Sequence, residues 1–253
     1  MIYDLQKASM GKRISAFLFD GILLGTLAVA FAFLISVITG FDNYNSQLNA
    51  AYEKYEAQYG MTFDITYEEY NALTPEQSAV YEEAYNALSA DEEAMSAYSM
   101  IVSLTLVITT FGILLAYAVL EFLIPLLFGN GQTLGKKIFS VGLMRTDGVK
   151  LTTFQLFVRT FLGKYTIETM IPMLILLMLY FGTIGIVGTA IILGLLLLDV
   201  ILIIAPQTNS TIHDLLAVTV AVDISSQMIF RSPQDLIDYQ KKVAAEKAAR
   251  QVY

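Results

Sequence analysis

The sequence predicts an all-α polytopic membrane protein. It has four transmembrane helices, a small cytoplasmic β element and an extracytoplasmic acidic helical cap. Three observations lead there. Apolar residues make up 56% of 253, mean hydropathy is +0.60, and the apolar residues gather in four long runs able to span a ~30 Å hydrocarbon core. The net charge of −8 is unevenly placed, because residues 41–97 hold 12 Asp/Glu and one Lys. The few acids inside the apolar runs are costly in hydrocarbon and face protein or a polar cavity.

Residues 1–40 are the N-terminus and first span. Lys12 and Arg13 precede an apolar stretch of about 25 residues. A signal peptide has a core of roughly 7–15 residues, so the stretch reads as a retained span. Asp20 is its one ionisable residue between positions 14 and 38. Arg13 lies about two turns earlier, roughly 10 Å along the axis and on nearly the same side. Gly21 and Gly25 form a small-x-x-x-small pair expected to admit a neighbouring helix beside the aspartate. Internal packing is the reading favoured over dimerisation.

Residues 41–97 form the acidic insertion. Thr66-Tyr67-Glu68-Glu69 and Thr74-Pro75-Glu76-Gln77 are helix starts with capping-box spacing, and Gly60 is a stop. The many tyrosines read as the core of a small helical cap. Residues 98–128 are the second span, with a helix that begins near Ala90. It carries Glu121, and Pro125 predicts a kink by excluding the Glu121 carbonyl. Residues 129–164 are basic. Asp147-Gly148 between apolar stretches signals a hairpin, and the β-branched run after Leu216 is a second candidate partner. Residues 152–164, with Phe154, Phe157, Val158 and Phe161 on one side, predict an interfacial helix. Residues 165–205 hold the third and fourth spans, joined by a turn at 182–185, with Asp199 in the fourth and Pro206 as its stop. Residues 206–253 supply a strand and a C-terminal helix that starts at Ser232-Pro233-Gln234-Asp235.

All but one of the 15 Lys/Arg lie in the termini and in 129–164. The positive-inside rule places those parts in the cytoplasm of a plasma membrane, and the cap outside. Asp20, Glu121 and Asp199 then sit ~9–10 Å below the cytoplasmic boundary. Arg13, Arg159, Lys164 and His213 are placed to meet them by snorkelling. Clustered carboxylates repel and raise one another's pKa, which suits a cation or proton site. The competing reading is a charge network that only fixes helix packing. Gly129-x-Gly131-x-x-x-Gly135-Lys136 departs from phosphate-loop spacing and follows a helix. With no cysteine and one histidine, neither a thiolate site nor a nitrogen–sulfur zinc site is expected. No enzyme chemistry, cofactor or nucleic-acid partner is expected.

The chain resembles the RDD family of membrane proteins, named for an arginine at the start of the first span, an aspartate within it and an aspartate in a later span. Arg13, Asp20 and Asp199 stand at those places. Gly131-Gln132-Thr133-Leu134-Gly135-Lys136-Lys137 and His213-Asp214-Leu215-Leu216-Ala217 carry the rest of the resemblance. The insertion is longer than the loop of many relatives. The resemblance implies transport of unspecified ligands, with cation–proton exchange for some members. The leading expectation is therefore exchange of a small ion through a carboxylate-lined site, with a homo-oligomer as the source of further helices. The alternative is a non-transporting adaptor that binds another membrane or envelope protein through the acidic cap.

Overall fold

The computed structural model describes residues 5–180, 184–204 and 210–250. Among these, four helical runs are long and apolar enough to cross a membrane: Met10–Thr39, Glu92–Phe128, Thr153–Leu179 and Gly185–Leu202. The chain divides into two compact units, one built from residues 1–27 and 113–253, the other from 28–112. The boundaries fall inside α1 (Met10–Thr39) and α5 (Glu92–Tyr117).

The 28–112 unit contains α2 (Phe41–Tyr59), α3 (Tyr67–Asn71) and α4 (Pro75–Ala90). Gly40 separates α1 from α2 in a left-handed conformation, and Gly60 ends α2 in another. A Cβ is disfavoured in that conformation, and glycine has none. Both predicted capping boxes are present. Thr66 Oγ1 accepts the Glu69 N–H at 3.2 Å while Glu69 Oε2 accepts the Thr66 N–H at 2.7 Å. Thr74 and Gln77 repeat the exchange before Pro75. The buried centre is Tyr55, Leu88 and Ala94, flanked by Leu48, Tyr52, Tyr59 and Phe63. Lower on α1 and α5, a Cβ on Gly112 would come within 3.1 Å of the Ala28 carbonyl and of Ala32. That glycine, facing two alanines, permits the close approach of the first two spans. The predicted Gly21–Gly25 pair does not serve this way: a Cβ at either would meet nothing within 4 Å.

In the other unit, α5 passes into a π-helical turn (Ala118–Leu123) and then α6 (Ile124–Phe128). This replaces the simple proline kink. Pro125 has no N–H for the Glu121 carbonyl, and the Thr160 hydroxyl donates to it at 2.8 Å. After α7 (Leu134–Ile138) come β1 (Val141–Arg145) and α8 (Thr153–Phe157). A π-helical stretch (Val158–Met170) and α9 (Ile171–Tyr180) follow. The predicted interfacial helix and third span are thus one unbroken helical run. Phe157 and Phe161 are not set apart from the bundle but pack on Phe122, with ring centroids 6.2 and 5.4 Å from it. Then follow α10 (Gly185–Ile204), α11 (Ile212–Ala217), β2 (Thr219–Asp223) and α12 (Pro233–Arg250). The turn predicted at 182–185 and the stop at Pro206 fall wholly or partly outside the described residues.

β1 and β2 pair antiparallel, from Val141 opposite Asp223 to Arg145 opposite Thr219. The Asp147-Gly148 turn contributes a single further bridge, Met144 to Lys150. Leu143, Met144, Val220 and Val222 are fully buried, each contributing about 1.5–3 kcal/mol of apolar transfer. Lys7 bridges to Val222, and Lys12 Nζ reaches Asp223 at 2.6 Å. The start of α1 is thereby fastened to this small sheet.

Candidate functional site: a charged chamber at the start of the first span

Asp20 is buried on α1 and held by the Gly-Gln-Thr-Leu-Gly-Lys run. Its Oδ1 accepts the Gly135 N–H at 2.7 Å, and its Oδ2 accepts the Thr133 hydroxyl. Thr133 is also the N-cap of α7, with Oγ1 accepting the Lys136 N–H at 3.3 Å. A Cβ on Gly135 would lie 2.5 Å from the Ala16 carbonyl oxygen and 2.9 Å from the Asp20 carboxylate. The second glycine of the run lets the loop close on α1. The carboxylate therefore terminates a short helix as well as sitting in a span.

Lys136 continues the line. Its Nζ lies 3.3 Å from Thr133 Oγ1 and 3.5 Å from Glu121 Oε2. Lys164 Nζ meets Glu121 Oε1 at 2.5 Å. Burial pushes the Lys136 ammonium down to about 8, with Glu121 opposing that shift.

A second line starts at Arg159, which is 3% exposed. Its Nε donates to Asp214 Oδ1 at 2.9 Å, and its Nη2 lies 2.8 Å from His213 Nε2. Thr219 Oγ1 also donates to Asp214 Oδ1, at 2.9 Å. An arginine has only donors, so His213 Nε2 accepts and Nδ1 carries the proton. That Nδ1–H faces Glu168 Oε2 at 2.7 Å. Burial, and then the Arg159 charge, lower the His213 pKa and keep the ring neutral. Burial alone would raise Asp214, but the Arg159 charge and the hydrogen bonds from Arg159 and Thr219 outweigh it and hold the carboxyl well below the usual range. Gly163 leaves room for His213, since a Cβ there would overlap the histidine side chain.

The π-helical winding explains the grouping. With i→i+5 bonding, Arg159, Lys164 and Glu168, spaced five and four apart, turn to one side. Asp199 comes from α10, and its Oδ1 accepts the Ile212 N–H at 3.3 Å. Arg13 Nη2 donates to the Ala221 carbonyl at 2.7 Å. These groups border one cavity of about 550 Å³, lined among others by Asp20, Lys136, Arg159, Glu168, Asp199 and His213. Glu121 reaches it through Lys136 and Lys164, which also line it.

The three acids singled out in the sequence thus have separate partners. Asp20 is tied to Thr133 and Gly135, Glu121 to two lysines, and Asp199 to a backbone N–H. Arg159 and His213 meet Asp214 and Glu168 in place of those three. Thr133, Lys136, Glu168 and Asp214 were not among the predicted site residues. Asp214 is signalled by its adjacency to His213, and Thr133 and Lys136 by their place in the glycine run, while nothing in the sequence signals Glu168. Among the described residues, no group of three or more His, Asp or Glu is placed to hold a metal ion.

No curated protein and no solved structure matches the chain. The sequence model of the RDD family matches residues 7–218, a range that includes the clamp on Asp20, the π-helical segments and His213-Asp214. With most of its length matched, the chain belongs to the RDD family.

Proposed function

We propose that this RDD-family protein exchanges a small cation or a proton across the membrane through the chamber bounded by Asp20, Glu168, Asp199 and His213. The observation that carries the reading is the Glu168–His213 pair beside Asp199. It joins a neutral imidazole with its Nδ1–H on a carboxylate to an acid that, among the described residues, accepts from a backbone N–H. Such a set takes up and passes a proton without breaking the Arg159–Asp214 and Lys164–Glu121 pairs. The termini and residues 129–164 are assigned to the cytoplasm of a plasma membrane by their cations, and 41–97 to the outside. Transport, not catalysis, is the role proposed.

The test is cation-driven proton movement in liposomes that contain the purified protein. Wild type moves protons in response to a sodium, potassium, lithium or calcium gradient. Asp199→Asn loses at least tenfold of that flux while melting like wild type. A well-folded wild type without flux under any of the four gradients overturns the reading.

A second reading is an adaptor. It is favoured by the compact 28–112 unit, with its acidic surface, and by the internal pairing of the buried charges. Under it, removal of residues 41–97 abolishes a stoichiometric partner while the chamber stays silent in flux assays.

A further inference from the structure

The acidic unit contains a cleft that its own core does not need. Its core tyrosines are Tyr52, Tyr55 and Tyr59. Three others, Tyr70, Tyr81 and Tyr85, line a separate cavity of about 400 Å³ together with Glu82 and Asn86. The sequence dictates this arrangement. Tyr81 and Tyr85 stand four apart on α4 and share a face. The capping boxes at Thr66 and Thr74 fix the starts of α3 and α4, and the short connection between these helices brings Tyr70 against Tyr81.

The geometry is that of an aromatic corner. The Tyr70 and Tyr81 rings lie 5.3 Å apart at 70°. Phe63 backs Tyr81 from another side, at 5.8 Å and 70°. Tyr81 is thereby held in place, while Tyr70 and Tyr85 remain 37% and 56% exposed. Tyrosine rings carry negative charge density on their faces, and together with the Glu82 carboxylate in the same cleft they offer the recognition chemistry of a large organic cation. A hard inorganic cation favours several charged or carbonyl oxygens at short range, and beside its phenol hydroxyls the cleft supplies one carboxylate and one amide. The segment's own cation does not fill it: Lys54 is engaged with Asp91 at 3.2 Å and over the Tyr55 ring at 4.7 Å. With 12 acids and one lysine over 41–97, the surrounding field draws cations in.

We propose that the cleft between α3 and α4 binds a quaternary ammonium group, held by the faces of Tyr70, Tyr81 and Tyr85 and the carboxylate of Glu82. The group is either a free organic cation or the trimethylammonium of a lipid headgroup. This site is independent of the charged chamber and of any transport through it.

Isothermal titration of the full-length protein, in a detergent that lacks choline, tests the proposal with tetramethylammonium and choline as probes and sodium as the control. Both organic cations bind saturably and sodium does not. Tyr85→Phe keeps the π-face and binds like wild type. Tyr85→Leu and Glu82→Gln each weaken binding roughly two- to fivefold. Tyr85 is more than half exposed, so its replacement leaves the core in place, which far-ultraviolet circular dichroism checks. Flotation with phosphatidylcholine or phosphatidylglycerol vesicles separates the sources. Selective capture by phosphatidylcholine, competed by choline, identifies a headgroup, and choline binding without capture identifies a free cation. No saturable binding of either probe by folded protein overturns the proposal. So does binding unchanged in both Tyr85→Leu and Glu82→Gln.

Discussion

At the residue scale, two aspartates that look alike in the sequence have different work. Asp20 accepts a backbone N–H and a hydroxyl from the loop that caps α7, and it is buried. Asp20→Asn loses a charge-assisted acceptor at a site that offers only donors, and lowers stability by about 1–3 kcal/mol. Asp199→Asn loses one backbone contact, and thermal melts in detergent place it within about 0.5 kcal/mol of wild type. A reversal of this order would remove the distinction between anchor and carrier. Arg159 and Asp214 make a buried pair, so Arg159→Met strands a carboxylate at a cost of about 3–5 kcal/mol. Acid probes the same cluster. Asp214 has a folded pKa below its unfolded value, so its contribution is full above the ordinary carboxylate range and lost as pH falls through the folded value. The folded His213 pKa is also depressed, from 6.5. Below that value the unfolded chain takes up a proton that the buried ring resists, and stability declines. Wild-type melting temperature therefore falls in two stages on acidification. Because the chain has one histidine, His213→Gln removes the upper stage and leaves the lower.

At the element scale, the second span is shaped by the encounter of Glu121, Pro125 and Thr160. Pro125 withholds a donor from the Glu121 carbonyl, and Thr160 supplies one from the neighbouring π-helical stretch. Thr160→Val leaves that carbonyl short of a donor in a buried setting and destabilises by about 1–3 kcal/mol. Pro125→Ala restores a donor within the helix, so the double variant is more stable than the sum of the two single effects predicts. Additive losses in the melts would show that the hydroxyl and the proline act independently. Much of this level is legible in the sequence: the four apolar runs, Gly60 as a stop, both Thr capping boxes and the pairing of 141–145 with the run after Leu216. The π-helical turns are not legible, because one extra residue per turn leaves hydropathy and propensity unchanged. The same limit applies to the site. That Asp20 needs a polar partner follows from burial cost. That the partner is Thr133 and Gly135 depends on a tertiary contact more than a hundred positions away. The Gly21–Gly25 pair shows the converse, since spacing alone does not say which small residues meet a helix. Gly112 does so against Ala28 and Ala32.

At the scale of the whole molecule, the net charge of −8 is the sum of two opposed populations. A chain with an even number of spans returns both termini to one side, and the four candidate spans satisfy that count among the described residues. The positive-inside rule weighs Lys and Arg near span ends and gives little weight to acids. In the proposed orientation, the orienting charges are those at the start of α1, in 129–164 and after β2, and the acids of 41–97 follow them. The absence of cysteine makes the orientation directly measurable, because any introduced thiol is unique. Ala79 on α4 and Ala248 on α12 are both exposed, so cysteine at either costs little. In intact cells, a membrane-impermeant maleimide labels Ala79→Cys, and it labels Ala248→Cys only after permeabilisation. The opposite pattern would place the charged chamber's basic rim outside and defeat the assignment. If each variant were labelled in half of the molecules, the protein would insert in both orientations. Replacing Lys12 and Arg13 with glutamine distinguishes the source of the bias: where those two cations set the orientation, the variant shifts Ala79→Cys toward protection. Lys12 also holds Asp223 and Arg13 the Ala221 carbonyl, so the same variant loosens the tie between α1 and β2. Labelling in both states, beside a melt of each, separates a change of orientation from a loss of fold.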